Sequence, residues 1–132
     1  MTATPVQLSA ATTTVDFTRP ETAVNGEYPR LTENGVTLLW AGDANNSNSV
    51  IASGPGNDPN AILGAVLSHP ENTLGNNNLR LAGYLAADLN MDGLTIYSGP
   101  DNDVNLLRAN VLQYPGNGTA AANYVLGGSL PE

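Results

Sequence analysis

The chain has 132 residues, the size of one domain, and carries 4 Lys+Arg against 12 Asp+Glu for a formal net charge of -8. All the basic residues are arginines (Arg19, Arg30, Arg80, Arg108), and so acidic a surface argues against nucleic-acid or anionic-membrane binding and favours cations. Cysteine is absent, which rules out a disulfide framework, a zinc-thiolate site and a cysteine nucleophile; no run approaches the roughly 18 apolar residues of a membrane span.

The first forty residues read as β. Val6, Leu8 and Ala10 alternate with polar neighbours, and after Ala11 the parity shifts to Thr13, Val15 and Phe17, which predicts a strand, a bulge and a second strand. Arg19-Pro20-Glu21 and Asn25-Gly26 are turn signals, and Val36, Leu38 and Trp40 predict a third strand. About three strands are too few for a self-sufficient sandwich. The expected fold class is α+β: sandwich-like N-terminal strands over residues 1–40, then a duplicated loop–helix region over 41–132.

The duplication is explicit. An offset of 45 residues maps Asp43 onto Asp88, Asn45 onto Asn90, Ser53-Gly54-Pro55 onto Ser98-Gly99-Pro100, Asn57-Asp58 onto Asn102-Asp103, Val66-Leu67 onto Val111-Leu112 and Pro70 onto Pro115. The repeats run over about 41–72 and 86–117. Each is an Asp- and Asn-rich loop followed by a helix with one apolar stripe: Val104, Leu107, Val111 and Tyr114 in the second, and Pro59, Ile62, Val66 and His69 in the first. Asp58 and Asp103 stand at the expected N-caps, and Pro70 and Pro115 stop the helices. Tyr124-Val125-Leu126 is a short candidate strand.

The second loop, Asp88-Leu89-Asn90-Met91-Asp92-Gly93-Leu94, places oxygen donors at positions 1, 3 and 5, glycine at 6 and a backbone carbonyl at 7. That is the opening of an EF-hand-type calcium loop, in which a tight turn aims alternate side chains at one centre. Position 12 is Gly99, so the expected closing acid is Asp103, with Asp101 as a further carboxylate. In the first loop Asp43, Asn45, Ser47 and the Ser49 carbonyl take the equivalent places, Asn48 replaces the glycine and Asp58 closes. Two calcium sites are expected, the second tighter because it has more carboxylates; magnesium would demand a stricter octahedron.

These residues resemble a known family. Paired D-x-N-x-D-G-type loops, each followed by an apolar helix (Leu106 and Arg108 lie in the second), resemble dockerin modules. More closely, Trp40 to Asp43, Ala87 to Asp103, Val111 to Asn117 and Leu130-Pro131 resemble a dockerin-like C-terminal region of large secreted proteins of Bacteroidetes-type bacteria, and the run Thr13 to Thr18 is similar to its β segment. The resemblance implies an extracellular, calcium-stabilised, non-catalytic module with a role in adhesion or assembly. Dockerins bind a cohesin-type partner. The loss of the acid at Ser47 and of the glycine at Asn48 departs from the pattern.

Charged residues make up 12% of the chain, against about 25% in an average domain, so Asn, Ser and Thr supply the polar surface, as suits an extracellular protein. Met1 to Pro5 has neither the basic nor the apolar region of a signal peptide, and the expectation is the mature part of a longer secreted chain. The single histidine, His69, lies at a helix end and reads as a core or capping group, so no enzyme is expected. Asn45-Asn46-Ser47 and Asn117-Gly118-Thr119 are glycosylation sequons, Asn117 being the better acceptor. An incomplete N-terminal sheet suggests assembly with other copies of the chain into a filament or adhesin by strand addition, with Val6 and Leu8 on the donor strand. The alternatives are a docking module for a cohesin-type partner, and a fragment whose missing strands lie upstream in the same polypeptide.

Overall fold

The computed structural model describes residues 2–7 and 9–127. The described residues form a mixed α+β fold of two helices and three two-stranded antiparallel sheets. No helix among them is long and apolar enough to cross a membrane.

The N-terminal part is a hairpin with an irregular arm. Strands β1 (Arg30–Glu33) and β2 (Val36–Leu39) pair in register from Arg30↔Leu39 to Glu33↔Val36. Asn34 and Gly35 join them at φ 51° and 79°, the left-handed pair that a tight hairpin turn requires and that Asn-Gly supplies cheaply. The predicted third strand therefore exists, but its faces are reversed. Thr37 is buried, while Val36 and Leu38 are 48% and 42% exposed.

Among the described residues of Val6–Ala10 and Thr13–Phe17 no strand is formed. The described residues of 2–24 contribute a single bridge, Thr2↔Val24, with the Ala3 N–H donating to the Ala23 carbonyl. Alternation alone cannot make a ladder; a partner strand must be in reach. Side chains hold this arm instead. The Arg30 guanidinium donates to the carbonyls of Phe17, Arg19 and Pro20 at 3.2, 2.7 and 2.9 Å. Asp16 accepts from the Thr18 N–H and hydroxyl, and these bonds hold its carboxyl below the usual range. Leu8 lies outside the described residues, as does the Leu130-Pro131 pair.

The repeats build the rest. The first carries β3 (Ser49–Ile51) and α1 (Asp58–Ser68) and is followed by β4 (Leu81–Ala82); the second carries β5 (Leu94–Thr95) and α2 (Asp103–Gln113) and is followed by β6 (Val125–Gly127). At the 45-residue offset α1 falls on α2, and Leu81 of β4 on Leu126 of β6. The pairing is reciprocal: β3 pairs with β6, and β4 with β5. The strand that follows each repeat is thus laid on the loop strand of the other, and α1 packs against α2. Ile62 and Leu107, Val66 and Val111, and Leu81 and Leu126 are buried at equivalent places. Burying each such side chain is worth about 1.5–3 kcal/mol.

The helix caps fall one residue earlier than expected. Asn57 and Asn102 are the N-caps, accepting from the N–H groups of Asn60 and Asn105 at 3.1 and 2.9 Å. Asp58 and Asp103 become the first helical residues, where a negative charge suits the helix dipole. The helices end before Pro70 and Pro115, and each is then tied off by a buried asparagine. Asn117 donates to the carbonyls of Val111 and Ala121 at 2.8 and 2.9 Å and accepts from the Ala121 N–H. Asn72 does the same with Val66 and Asn76. Asn117, one of the two sequon asparagines, is 4% exposed with both of its amide hydrogens engaged.

Candidate functional site

The two loops share a backbone. Position 4 is left-handed in both, at Asn46 (φ 59°) and Met91 (φ 59°), and so is position 6, at Asn48 (φ 61°) and Gly93 (φ 84°). Methionine rarely adopts this conformation, so Met91, exposed at the surface, is held there by the loop around it. The same left-handed curl is therefore present in both repeats, with asparagine serving at position 6 of the first.

The closing acids act alike. Asp103 is fully buried. Its Oδ1 accepts from the N–H groups of Leu89 and Asn90 at 2.7 and 3.4 Å, and its Oδ2 from Ile96 at 2.8 Å. Asp58, also fully buried, accepts from Ala44 at 2.9 Å and Ile51 at 2.8 Å. Each clamps the entry and exit of its loop to the first turn of its helix. Burial pushes the Asp58 carboxyl above its ordinary value, against the amide bonds from Ile51 and Ala44, and the neighbouring Asp43 charge pushes the same way.

The first aspartates differ. Asp43 is satisfied: Oδ1 accepts from the Ser47 N–H and Oδ2 from the Asn48 N–H, both at 2.9 Å. The Ser47 hydroxyl donates to the Ser49 carbonyl, the group expected at position 7, and Asn45 donates through Nδ2 to the Gly56 carbonyl. Asp88 is 3% exposed, and its Oδ2 accepts from the Gly93 N–H at 3.0 Å. Its Oδ1 is buried and has no hydrogen-bond partner; the Thr95 hydroxyl is the other such buried atom among the described residues. A buried carboxylate oxygen without a hydrogen-bond donor is costly, which sets Asp88 apart from Asp43.

Around Asp88, Asn90 Oδ1 accepts from the Asp92 N–H, Asp92 Oδ1 accepts from the Leu94 N–H, and Asp92 Oδ2 accepts from Asn90 Nδ2 at 3.0 Å. These turns bend the side chains of positions 1, 3 and 5 back over one loop. Asp101 is exposed, in a left-handed turn (φ 59°) that Gly56 takes in the first repeat (φ 70°). No group of three or more acids or histidines gathers closely enough to hold a metal by itself among the described residues. A cation here would rest on two carboxylates, Asp88 and Asp92, completed by amide and backbone oxygens. Val6, the described residue of the expected donor strand, is 37% exposed.

Two features escaped sequence reading. The clamping role of Asp58 and Asp103 looks, from spacing alone, like ligation. The asparagines at 72 and 117 are visible only as one more pair at the 45-residue offset. No protein-family model, curated protein or solved structure matches this chain.

Proposed function

We propose that this chain is a non-enzymatic, extracellular structural module stabilised by calcium at its second loop. The observation that carries the reading is the buried, unpartnered Oδ1 of Asp88 at position 1 of a D-x-N-x-D-G loop. Asp88, Asn90 and Asp92 through side-chain oxygens, and Leu94 through its carbonyl, are the residues that would hold the ion. Hard oxygen donors of mixed charge suit calcium, whose bound charge would offset two crowded carboxylates. With only two carboxylates the affinity belongs in the weak range of extracellular modules, about 0.1–1 mM. The test is thermal melting in about 10 mM calcium and in excess chelator. Binding to the native state alone at that affinity stabilises by about 1.4–2.7 kcal/mol, an upward shift of roughly 4–12 °C. Identical melting curves would sink the reading.

The assembly role we propose is a filament or adhesin subunit joined by strand addition. Residues 4–7 make no ladder of their own, and the β1–β2 hairpin is two strands wide with Val36, Leu38 and Leu39 exposed. Open sheet edges and exposed apolar side chains favour capture of a strand from another copy. A dockerin-like docking role is the second reading, favoured by Leu67 and Leu112. They stand at equivalent positions of the two helices and are both 42% exposed. Size-exclusion chromatography of the chain with and without residues 1–18 separates the two. Self-association lost on truncation supports strand addition; a monomer in both forms supports docking.

A further inference from the structure

A cavity of about 450 Å³ lies between the N-terminal arm, the end of β2, the first loop, the end of α2 and β6. Its volume falls in the range of small-ligand pockets. The chain has 5 Tyr, 1 Trp and 1 Phe. Of these seven, four line this one cavity: Tyr28, Trp40, Tyr114 and Tyr124. Tyr114 is central, with ring centroids 5.9 Å from Tyr28, 5.4 Å from Trp40 and 5.8 Å from Tyr124. The Trp40 ring is fixed by its Nε1–H, which donates to the Tyr28 carbonyl at 2.8 Å. Close approach of Tyr114 and Tyr124 is possible because residue 116 is glycine; a Cβ there would stand 2.8 Å from both rings' atoms.

The charged residues of the lining are Glu27 and Asp43; no arginine lines it, and the chain contains no lysine. Asp43 uses both of its oxygens on loop amides, which leaves Glu27 as the acid with no hydrogen bond to the loop. Burial raises the Tyr114 phenol, and Tyr124 and Glu27 add to that rise, as expected of a negative pocket. Aromatic walls beside the Glu27 carboxylate, with no internal cation, favour an organic cation, which aromatic faces attract and a carboxylate pairs.

We infer that this cavity binds a guanidinium or alkylammonium group, presented by a free small molecule or by the side chain of a partner protein. Trp40 is the sole tryptophan and lines the cavity, so its fluorescence reports occupancy directly. The full chain, in calcium, is titrated with N-acetyl-argininamide, with the tripeptide Gly-Arg-Gly and with methyl glucoside. A saturable change with the two arginine probes, and none with the sugar, is the expected result. Tighter binding of the tripeptide than of the amide identifies a partner's side chain as the source; equal binding identifies a free cation. Glu27→Gln should weaken binding about two- to fivefold, and Tyr124→Ala about two- to thirtyfold. Leu74→Ala, on a side chain 91% exposed elsewhere, should leave it unchanged. The inference is overturned by an absence of saturation while circular dichroism shows folded protein, by saturation with the sugar alone, or by unchanged affinity in both Glu27→Gln and Tyr124→Ala.

Discussion

The first and second loops have the same curl, the same clamp and the same left-handed positions, yet Asp43 finds donors for both oxygens and Asp88 for one. Replacing the acid at position 5 by Ser47 frees a hydroxyl that bonds the Ser49 carbonyl. The loop then satisfies itself with its own hydrogen bonds. The second loop keeps Asp92 and Gly93 and leaves the buried Asp88 Oδ1 without a hydrogen-bond partner. The comparison separates two kinds of residue that a motif merges. Asp58, Asp103, Asn72 and Asn117 hold the fold and occur in both repeats; Asp88, Asp92 and Gly93 carry the proposed cation chemistry in one.

The largest effect should come from the clamps, because they serve both loops whatever is bound. Asp103→Ala strips three backbone N–H groups of their acceptor, and Asp58→Ala strips two. At about 1–3 kcal/mol for each buried donor left unpaired, Asp103→Ala should cost about 3 kcal/mol or more, and Asp58→Ala about 2 kcal/mol. Urea unfolding in chelator measures both; a loss confined to calcium-loaded protein would make Asp103 a ligand rather than a clamp. Next, rebuilding the first loop as Ser47→Asp with Asn48→Gly should add a second calcium, counted by equilibrium dialysis. Its change in chelated stability should stay within about 0.5 kcal/mol. Failure to gain a second ion would mean that the loops differ in more than these two residues.

The smallest effect is the pH dependence at Asp58. Its folded pKa is raised above the ordinary 3.8. As pH falls through the folded value, the native state takes up its proton before the unfolded chain does. Asp58 therefore adds stability as pH falls, fully so below 3.8, and loses that contribution as pH rises through the folded value. The stability of the wild type relative to Asp58→Asn should rise on acidification; a flat difference would contradict the burial of this carboxyl.

Much of the repeat region was legible because its signals are local. Prolines at 70 and 115 end helices by steric rule, and the spacing of Ile62, Val66, Leu107 and Val111 is an apolar stripe. The caps were misplaced by one residue because Asn57-Asp58 and Asn102-Asp103 each offer two good capping side chains in a row. The strands β4 and β5 are two residues long and show no periodicity; only long-range pairing creates them. In the arm the pattern of Val6 and Val15 is β character with no partner strand among the described residues, and Arg30 holds the backbone in another shape. The reversed faces of β2 have the same cause, since the hairpin's position decides which side meets the core.

The central claim is one calcium, bound at the second loop. Isothermal titration calorimetry of the wild type, Asp88→Asn and Asp43→Asn tests it most directly. One ion per chain at about 0.1–1 mM, abolished by Asp88→Asn and kept by Asp43→Asn, is the predicted result. Two ions per chain, none, or binding lost with Asp43→Asn and retained with Asp88→Asn would contradict it.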